Sequence, residues 1–415
     1  MVRLATPAHH ILTIIFFLHS GLIFAKPASE SPGLSNQASS DLDAYRVVSG
    51  IDDMETAIST NPSDVDKYIP LASFYYSYQQ WDKAEEVLKR AIEYCPNERN
   101  KDLKGWLADD LLNQKKWDEA KPYLDQALKE FPDEAMLYYD LAIYYFYKGD
   151  YASAGRLMKT IALKDKDTPD TYYGLYQHFI NQEKSDHPGL IQMAQAALEA
   201  EPENYKTHRL YACVLRNAHY SDFKKQLPEI LKHLNMALKL NPQYILTYVT
   251  LADTYLLLGK NQNTPKDYQT ALEWLDKARG LHDRLYEKLD YDYAILYVEM
   301  GEYAKAISYA QKYHQMNPDN PAATEMLGNA YNGFAYNCYK KGVQLRQAMA
   351  MIDKAIKLDP DNGMYLSTKA ELLYKLKDYE QAYALILKAH DKLPKEDEIN
   401  QDVAMIEKAL RMSHK

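Results

Sequence analysis

Apolar residues return along most of the chain at spacings of three and four, the period of a helix with one buried face. One kind of stripe is built on small residues: Ala84, Leu88 and Ala91; Ala120, Leu124 and Ala127; Ala382, Ile386 and Ala389. A second kind carries larger groups: Tyr68, Leu71, Ala72 and Tyr75; Tyr138, Leu141, Ala142 and Tyr145; Tyr248, Leu251, Ala252 and Tyr255; Thr324, Leu327, Gly328 and Tyr331. The two kinds alternate, joined by turns such as Lys148-Gly149-Asp150-Tyr151 and Met300-Gly301-Glu302-Tyr303. Tyr151 and Tyr303 open the helix that follows, and Trp81, Trp117 and Tyr379 hold the same slot. The pattern predicts antiparallel helix pairs, with Ala on the inner stripe so that neighbouring helices approach closely.

Prolines set the period. Pro62, Pro96, Pro132, Pro169 and Pro202 stand 34, 36, 37 and 33 residues apart, and Pro360 to Pro394 is again 34. The 76 residues from Pro242 to Pro318 hold two units with one proline missing. Each proline follows a small-residue stripe and ends its helix. The chain resembles the tetratricopeptide repeat family, whose pattern of Trp, Leu-Gly, Tyr, Ala, Phe, Ala and Pro recurs about every 34 residues. The likeness runs from Val65 to Pro394 as nine units starting at Val65, Lys101, Ala135, Pro169, Tyr205, Ile245, Glu287, Pro321 and Gly363. It implies an all-α fold, a right-handed superhelical solenoid of helix-turn-helix repeats over residues 63–396. A lone helix over 42–62 comes first, and an amphipathic capping helix over 397–415 closes the array, whose end units otherwise expose an apolar face.

Some positions depart from the pattern. Tyr176 stands where a small residue is expected. Asn217–Pro228 and Gly259–Asp267 read as insertions between helices, and a first helix starting at Pro321 runs on through Phe334-Ala335-Tyr336.

The amino terminus reads differently. Residues 1–25 hold a 15-residue apolar run, Ile11 to Ala25, too short to cross a bilayer and of the length of a secretory signal, with cleavage expected after Ala25 and an uncleaved membrane anchor as the alternative. Residues 26–41 are a Ser- and Pro-rich leader expected to be disordered. The reading is export, periplasmic or secreted, with no integral membrane segment in the mature chain. The formal net charge is −9, which disfavours nucleic acid and anionic membranes as partners. Only 15 of 415 residues are glycine, which excludes a fold rich in tight phosphate-binding turns. Cys95, Cys213 and Cys338 fall in the first, fifth and eighth units, too far apart to bridge, so three buried thiols are expected.

No Gly-x-Ser-x-Gly or His-Glu-x-x-His occurs, and the histidines show no metal-ligand spacing. No cofactor and no catalytic residue is expected. Asp359-Pro360-Asp361-Asn362-Gly363 has its glycine one place early for a calcium loop and reads as a helix stop followed by an N-cap. Glu85-Glu86, Asp109-Asp110 and Asp52-Asp53 read as solvated faces.

The surplus of Tyr, 37 against 9 Phe, points to the inner face of the array. The resemblance implies that first helices line a concave groove. Its offsets place Met136, Tyr139, Ile143, Phe146 and Tyr147 there, with Tyr76, Tyr173, Lys206, Arg209 and Arg216 from neighbouring units. In doubled aromatics such as Tyr75-Tyr76, Tyr138-Tyr139 and Tyr172-Tyr173, one ring is expected in the core and the next in the groove. Tyr and Arg are common interface anchors. The leading expectation is therefore a non-catalytic scaffold in the cell envelope. It would hold a protein segment against Tyr76, Tyr139, Phe146, Tyr147, Tyr173, Lys206, Arg209 and Arg216, within a secretion, envelope-assembly or polysaccharide-export complex. A groove receptor for a small ligand or glycan is the alternative, and an enzyme with a site assembled across repeats the third. The Lys and Asn clamp by which some family members hold chaperone tails is matched only at Asn329.

Overall fold

Each apolar stripe becomes a helix. The computed structural model describes residues 50–95, 101–164, 171–182, 188–218, 223–262, 264–281 and 289–414. The expected signal and leader lie outside these residues, as does the start of the lone helix. Contacts divide the chain into two units, Met1–Pro242 and Gln243–Lys415.

In the first unit a single helix, α1 (residues 50–60), precedes five helical hairpins. These are α2 (Val65–Ser77) with α3 (Trp81–Tyr94), α4 (Lys101–Asn113) with α5 (Trp117–Glu130), and α6 (Ala135–Tyr147) with α7 (Tyr151–Lys164). Then come α8 (Thr171–Gln182) with α9 (Pro188–Ala200), and α10 (Tyr205–Ala218) with α11 (Phe223–Leu240). The second unit holds α12 (Ile245–Gln262) with α13 (Pro265–Gly280), α14 (Leu289–Glu299) with α15 (Tyr303–Met316), and α16 (Pro321–Lys341) with α17 (Leu345–Leu358). It continues with α18 (Gly363–Lys375), α19 (Tyr379–Lys392) and a last helix, α20 (Asp397–Ser413). Within each unit successive hairpins lie side by side.

The small-residue stripes are the core. Ala84, Leu88, Ala91, Ala120, Leu124, Ala127, Ala382, Ile386 and Ala389 are each no more than 1% exposed. At Gly155 even a methyl group is too much: a Cβ there would sit 2.2 Å from the Met193 carbonyl oxygen, so α7 and α9 touch backbone to backbone. Five hairpin turns place a left-handed residue two places before the aromatic that opens the second helix. Gly149 (φ 81°) and Gly301 (φ 72°) fill it without strain, whereas Gln79 (φ 55°), Lys115 (φ 62°) and Lys377 (φ 67°) adopt it despite a Cβ.

Helix starts are capped where the sequence supplies a cap. Asp64 accepts from the Asp66 amide at 3.2 Å, and Asn320 from Ala322 at 3.0 Å. Asn362 accepts from Met364 at 3.1 Å and Tyr365 at 3.4 Å, so Asp359–Gly363 is a helix stop and N-cap. The insertions lengthen helices: α11 begins five residues before Pro228, α12 runs to Gln262, and α16 spans 21 residues through Phe334. Tyr176 is fully buried, with Asn217 donating to its hydroxyl at 2.7 Å, so the small-residue slot is filled by a ring anchored at its polar end. Helix α20 buries Ile399 and Ile406 against α19 and leaves its other face exposed.

Two expectations are overturned. Glu85, Asp109 and Asp110 are not solvated; they are 8%, 9% and 0% exposed. Leu107-Ala108 and Leu111-Leu112 flank the aspartates on both sides, and burying that run takes them with it. The third hairpin also reverses the in-out order of its doubled tyrosine. Tyr139, Ile143 and Phe146 are buried, while Tyr138 is half-buried with its hydroxyl donating to the Pro132 carbonyl at 2.9 Å. The first helices of both neighbours cover the flank of α6 that the repeat pattern assigns to the groove.

Candidate functional site

First helices α2, α6, α8 and α10 carry the residues singled out from the sequence, and the fold joins several of them through rings. Trp117 at the start of α5 stacks on Tyr147 at 4.4 Å and 9°. Tyr147 meets Phe146 edge-on, and Phe146 stacks on Phe179 of α8 at 3.9 Å. His178, next to Phe179, presents an edge to Tyr139 at 5.7 Å. The result is an aromatic seam across the second, third and fourth hairpins. Tyr147 and Tyr173 are half-buried, whereas Tyr139 is 9% and Phe146 only 2% exposed. Phe146 therefore acts as a core ring that holds α6 to α8.

Tyr76 is held at the amino-terminal end of the seam. Its hydroxyl donates to Asp109, accepts from the Asn113 amide at 3.3 Å, and its ring stands edge-on to Trp81 at 4.8 Å. Burial, with the Asp109 charge adding to it, keeps this phenol protonated far above the usual tyrosine range. Asp109, Asp110 and Asp140 gather here, a feature that sequence reasoning missed. Asp110 accepts from Gln114 at 2.7 Å, and burial pushes its carboxyl up to about 7. Asp140 is 2% exposed and its Oδ1 has no hydrogen-bond partner. Burial first, and the Asp109 charge second, raise its carboxyl well above the ordinary range. Glu85 behaves oppositely. Burial works against its charge, but Lys116 at 2.7 Å, Lys89 at 2.5 Å and Gln114 at 2.9 Å hold it down to about 2.

The basic residues of α10 are not gathered into an open patch. Arg209 is 5% exposed and lies over the Tyr173 ring at 4.6 Å, tying the fifth hairpin to the fourth. Arg216 is half-buried, its Nε donating to Asn217 at 3.3 Å. Lys206 is half-buried one turn before Arg209, and its backbone amide is capped by Asn204 at 2.9 Å. The arrangement offers a run of partly open rings, with a cation clasped to one of them and carboxyls beneath.

Chemistry beyond binding is sparse among the described residues. No group of three or more His, Cys, Asp or Glu is placed to hold a metal ion, and no helix is long and apolar enough to cross a membrane. Cys95, Cys213 and Cys338 are buried thiols with no disulfide between them, as their separation in the repeats requires.

Residues 111–178 match the tetratricopeptide repeat family model. Over 195 residues, 46% of this chain, the sequence is 25% identical to anaphase-promoting complex subunit 3 of Schizosaccharomyces pombe; the match spans 26% of that relative's length. Among solved structures, the chain is similar to a tetratricopeptide repeat protein from Parabacteroides merdae ATCC 43184, at 19% identity and a TM-score of 0.38, covering 65% of this chain and 98% of that one. It is also similar to PilW, a widely conserved type IV pilus biogenesis factor, at 16% identity and a TM-score of 0.39, covering 64% and 97%. A third is YrrB, a tetratricopeptide repeat protein with an unusual peptide-binding site, at 17% identity and a TM-score of 0.36, covering 54% and 100%.

Proposed function

We propose that this tetratricopeptide-repeat protein is a non-catalytic scaffold that holds an extended segment of a partner protein against its first helices. The observation that carries the reading is the presence of half-buried rings on the first helices of three hairpins, Tyr76 on α2, Tyr147 on α6 and Tyr173 on α8. A ring that is half covered is already ordered, so a partner gains apolar contact without paying to fix it. The half-buried Lys206 and Arg216 of α10 give the same stretch a place for an acidic group or a chain terminus. Tyr139, Phe146 and Arg209 support that surface from beneath; Lys206 and Arg216 flank it.

The reading extends to place. The apolar run of residues 11–25 supports export, with the protein acting in the periplasm or outside the cell, in a secretion, envelope-assembly or polysaccharide-export complex. Amino-terminal sequencing of the protein recovered from its producing cells tests this; a mature chain beginning at Lys26 is expected, and one retaining Met1 in the cytosol refutes it.

The binding role is tested by cross-linking and affinity capture with the native protein and with Tyr147→Ser and Tyr173→Ser variants. A stoichiometric protein partner that is captured by the native chain and lost from the variants supports the reading. Direct binding of glycans to the isolated protein, with no protein captured, replaces it with the ligand-receptor alternative.

A further inference from the structure

Histidines 25 positions apart, scattered by sequence, meet in the fifth hairpin. His208 on α10 and His233 on α11 are 8% and 7% exposed, and their Nδ1 atoms lie 2.8 Å apart. The outer nitrogens are also held. His208 Nε2 is 2.9 Å from the Pro202 carbonyl oxygen, and His233 Nε2 is 3.0 Å from Glu229 Oε1. Tyr211 of α10 closes the pocket with its ring edge-on to His233 at 4.9 Å. The charged groups facing the pair are Glu229 and Lys232 of α11, which bond each other at 2.9 Å, while Glu199 of α9 acts on the Tyr211 hydroxyl.

Hydrogen atoms can be counted on this chain of contacts. A carbonyl oxygen only accepts, so His208 Nε2 carries hydrogen and, in a neutral ring, His208 Nδ1 is a bare acceptor. The contact between the two Nδ1 atoms then needs one hydrogen, which His233 supplies. If His233 also donates to Glu229, the pair carries one positive charge opposite the carboxylate. If the pair is neutral, the Glu229 contact is given up, at little cost because that carboxylate is 43% exposed and already has Lys232. A second added proton has no such outlet. It places two N–H groups head to head at 2.8 Å and two cations in a pocket walled by an aromatic ring.

We propose that the His208–His233 pair is a proton-counting latch on the α10–α11 hairpin, shut while the facing nitrogens share one hydrogen and opened by acid when both rings become charged. Burial acts in the same sense, pushing His233 below the ordinary imidazole value. The folded hairpin then binds fewer protons than the unfolded chain as pH falls through the imidazole range, so its stability drops with acidification. The latch stands on this geometry alone. Its reach to a partner, through Arg209 on the same helix, rests on the scaffold role proposed above.

The full chain is titrated from about pH 8 to pH 5, the range in which imidazoles change charge. Imidazole nitrogens are followed by NMR, and backbone protection by hydrogen exchange corrected for the intrinsic rate. His208 is expected as the Nε2–H tautomer at neutral pH, with the two rings titrating as a coupled pair. Peptides of α10 and α11 are expected to lose protection at least about tenfold on acidification while α6 and α7 keep theirs. His208→Gln retains a donor for Pro202 and an acceptor for His233 but cannot take the second proton, so it is expected to stay shut in acid. Should that variant not fold, His233→Phe serves, keeping a ring without charge. Independent titration of the two histidines at the ordinary value overturns the proposal, as does equal acid loss in native and variant chains.

Discussion

Phe146 shows how a residue chosen for the surface becomes structural. It is 2% exposed and stacked on Phe179, so its removal opens a cavity between two hairpins. Phe146→Ala is expected to cost about 3–5 kcal/mol in urea unfolding of the first unit, with Tyr147→Ser costing clearly less. Asp110 gives a second prediction. Its carboxyl titrates at about 7 in the folded chain against an ordinary 3.8, and Glu371, buried and pressed by Asp402, at about 8 against 4.5. Folded protein therefore binds more protons than unfolded across those intervals. The contribution is complete below the ordinary values and is lost as pH rises through 7 for Asp110 and 8 for Glu371. Denaturation midpoints are expected to fall over that range, and Asp110→Asn with Glu371→Gln to flatten the profile. The burial of Asp110 had a signal, since Leu107-Ala108-Asp109-Asp110-Leu111-Leu112 is a helical turn with apolar residues on both sides of its acids. Which of two adjacent tyrosines lies inside had none. Tyr139 meets His178 of the next repeat edge-on and feels the Asp109 charge of the one before, an arrangement that depends on helix rotations that local pattern does not encode.

At the scale of an element, helix starts were legible because each repeat restates the last. The expected unit starts at Val65, Lys101, Ala135, Tyr205, Ile245, Pro321 and Gly363 coincide with first helical residues. Those at Pro169 and Glu287 lie outside the described residues. The turns carry a prediction of their own. Lys115 and Lys377 hold left-handed backbone that costs an L-residue about 1–2 kcal/mol. Glycine relieves that strain but adds freedom to the unfolded chain worth about 0.5–1 kcal/mol. Lys115→Gly and Lys377→Gly are thus each expected to raise the melting temperature slightly, as read by circular dichroism, whereas the same change at an exposed mid-helix lysine such as Lys388 lowers it. Gly155→Ala tests the opposite case: with the Met193 carbonyl 2.2 Å from the new methyl, α7 and α9 are forced apart and the melting temperature falls.

Across the whole molecule, stability is a sum of hairpins and the faces between them. Helix α20 ends the described array by covering Ile386 and Ala389 with Ile399 and Ile406. Ile406→Ala is expected to lower the stability of the second unit by about 2–5 kcal/mol while leaving exchange rates in α2–α7 unchanged. The three cysteines offer a way to watch such events. Cys95, Cys213 and Cys338 sit in hairpins far apart along the chain, each at most 4% exposed, and burial raises the Cys95 and Cys338 thiols so that little thiolate is present. An alkylating reagent reaches a sulfur only when the surrounding helices part. The labelling speed at each position is then a clock for the breathing of its own repeat.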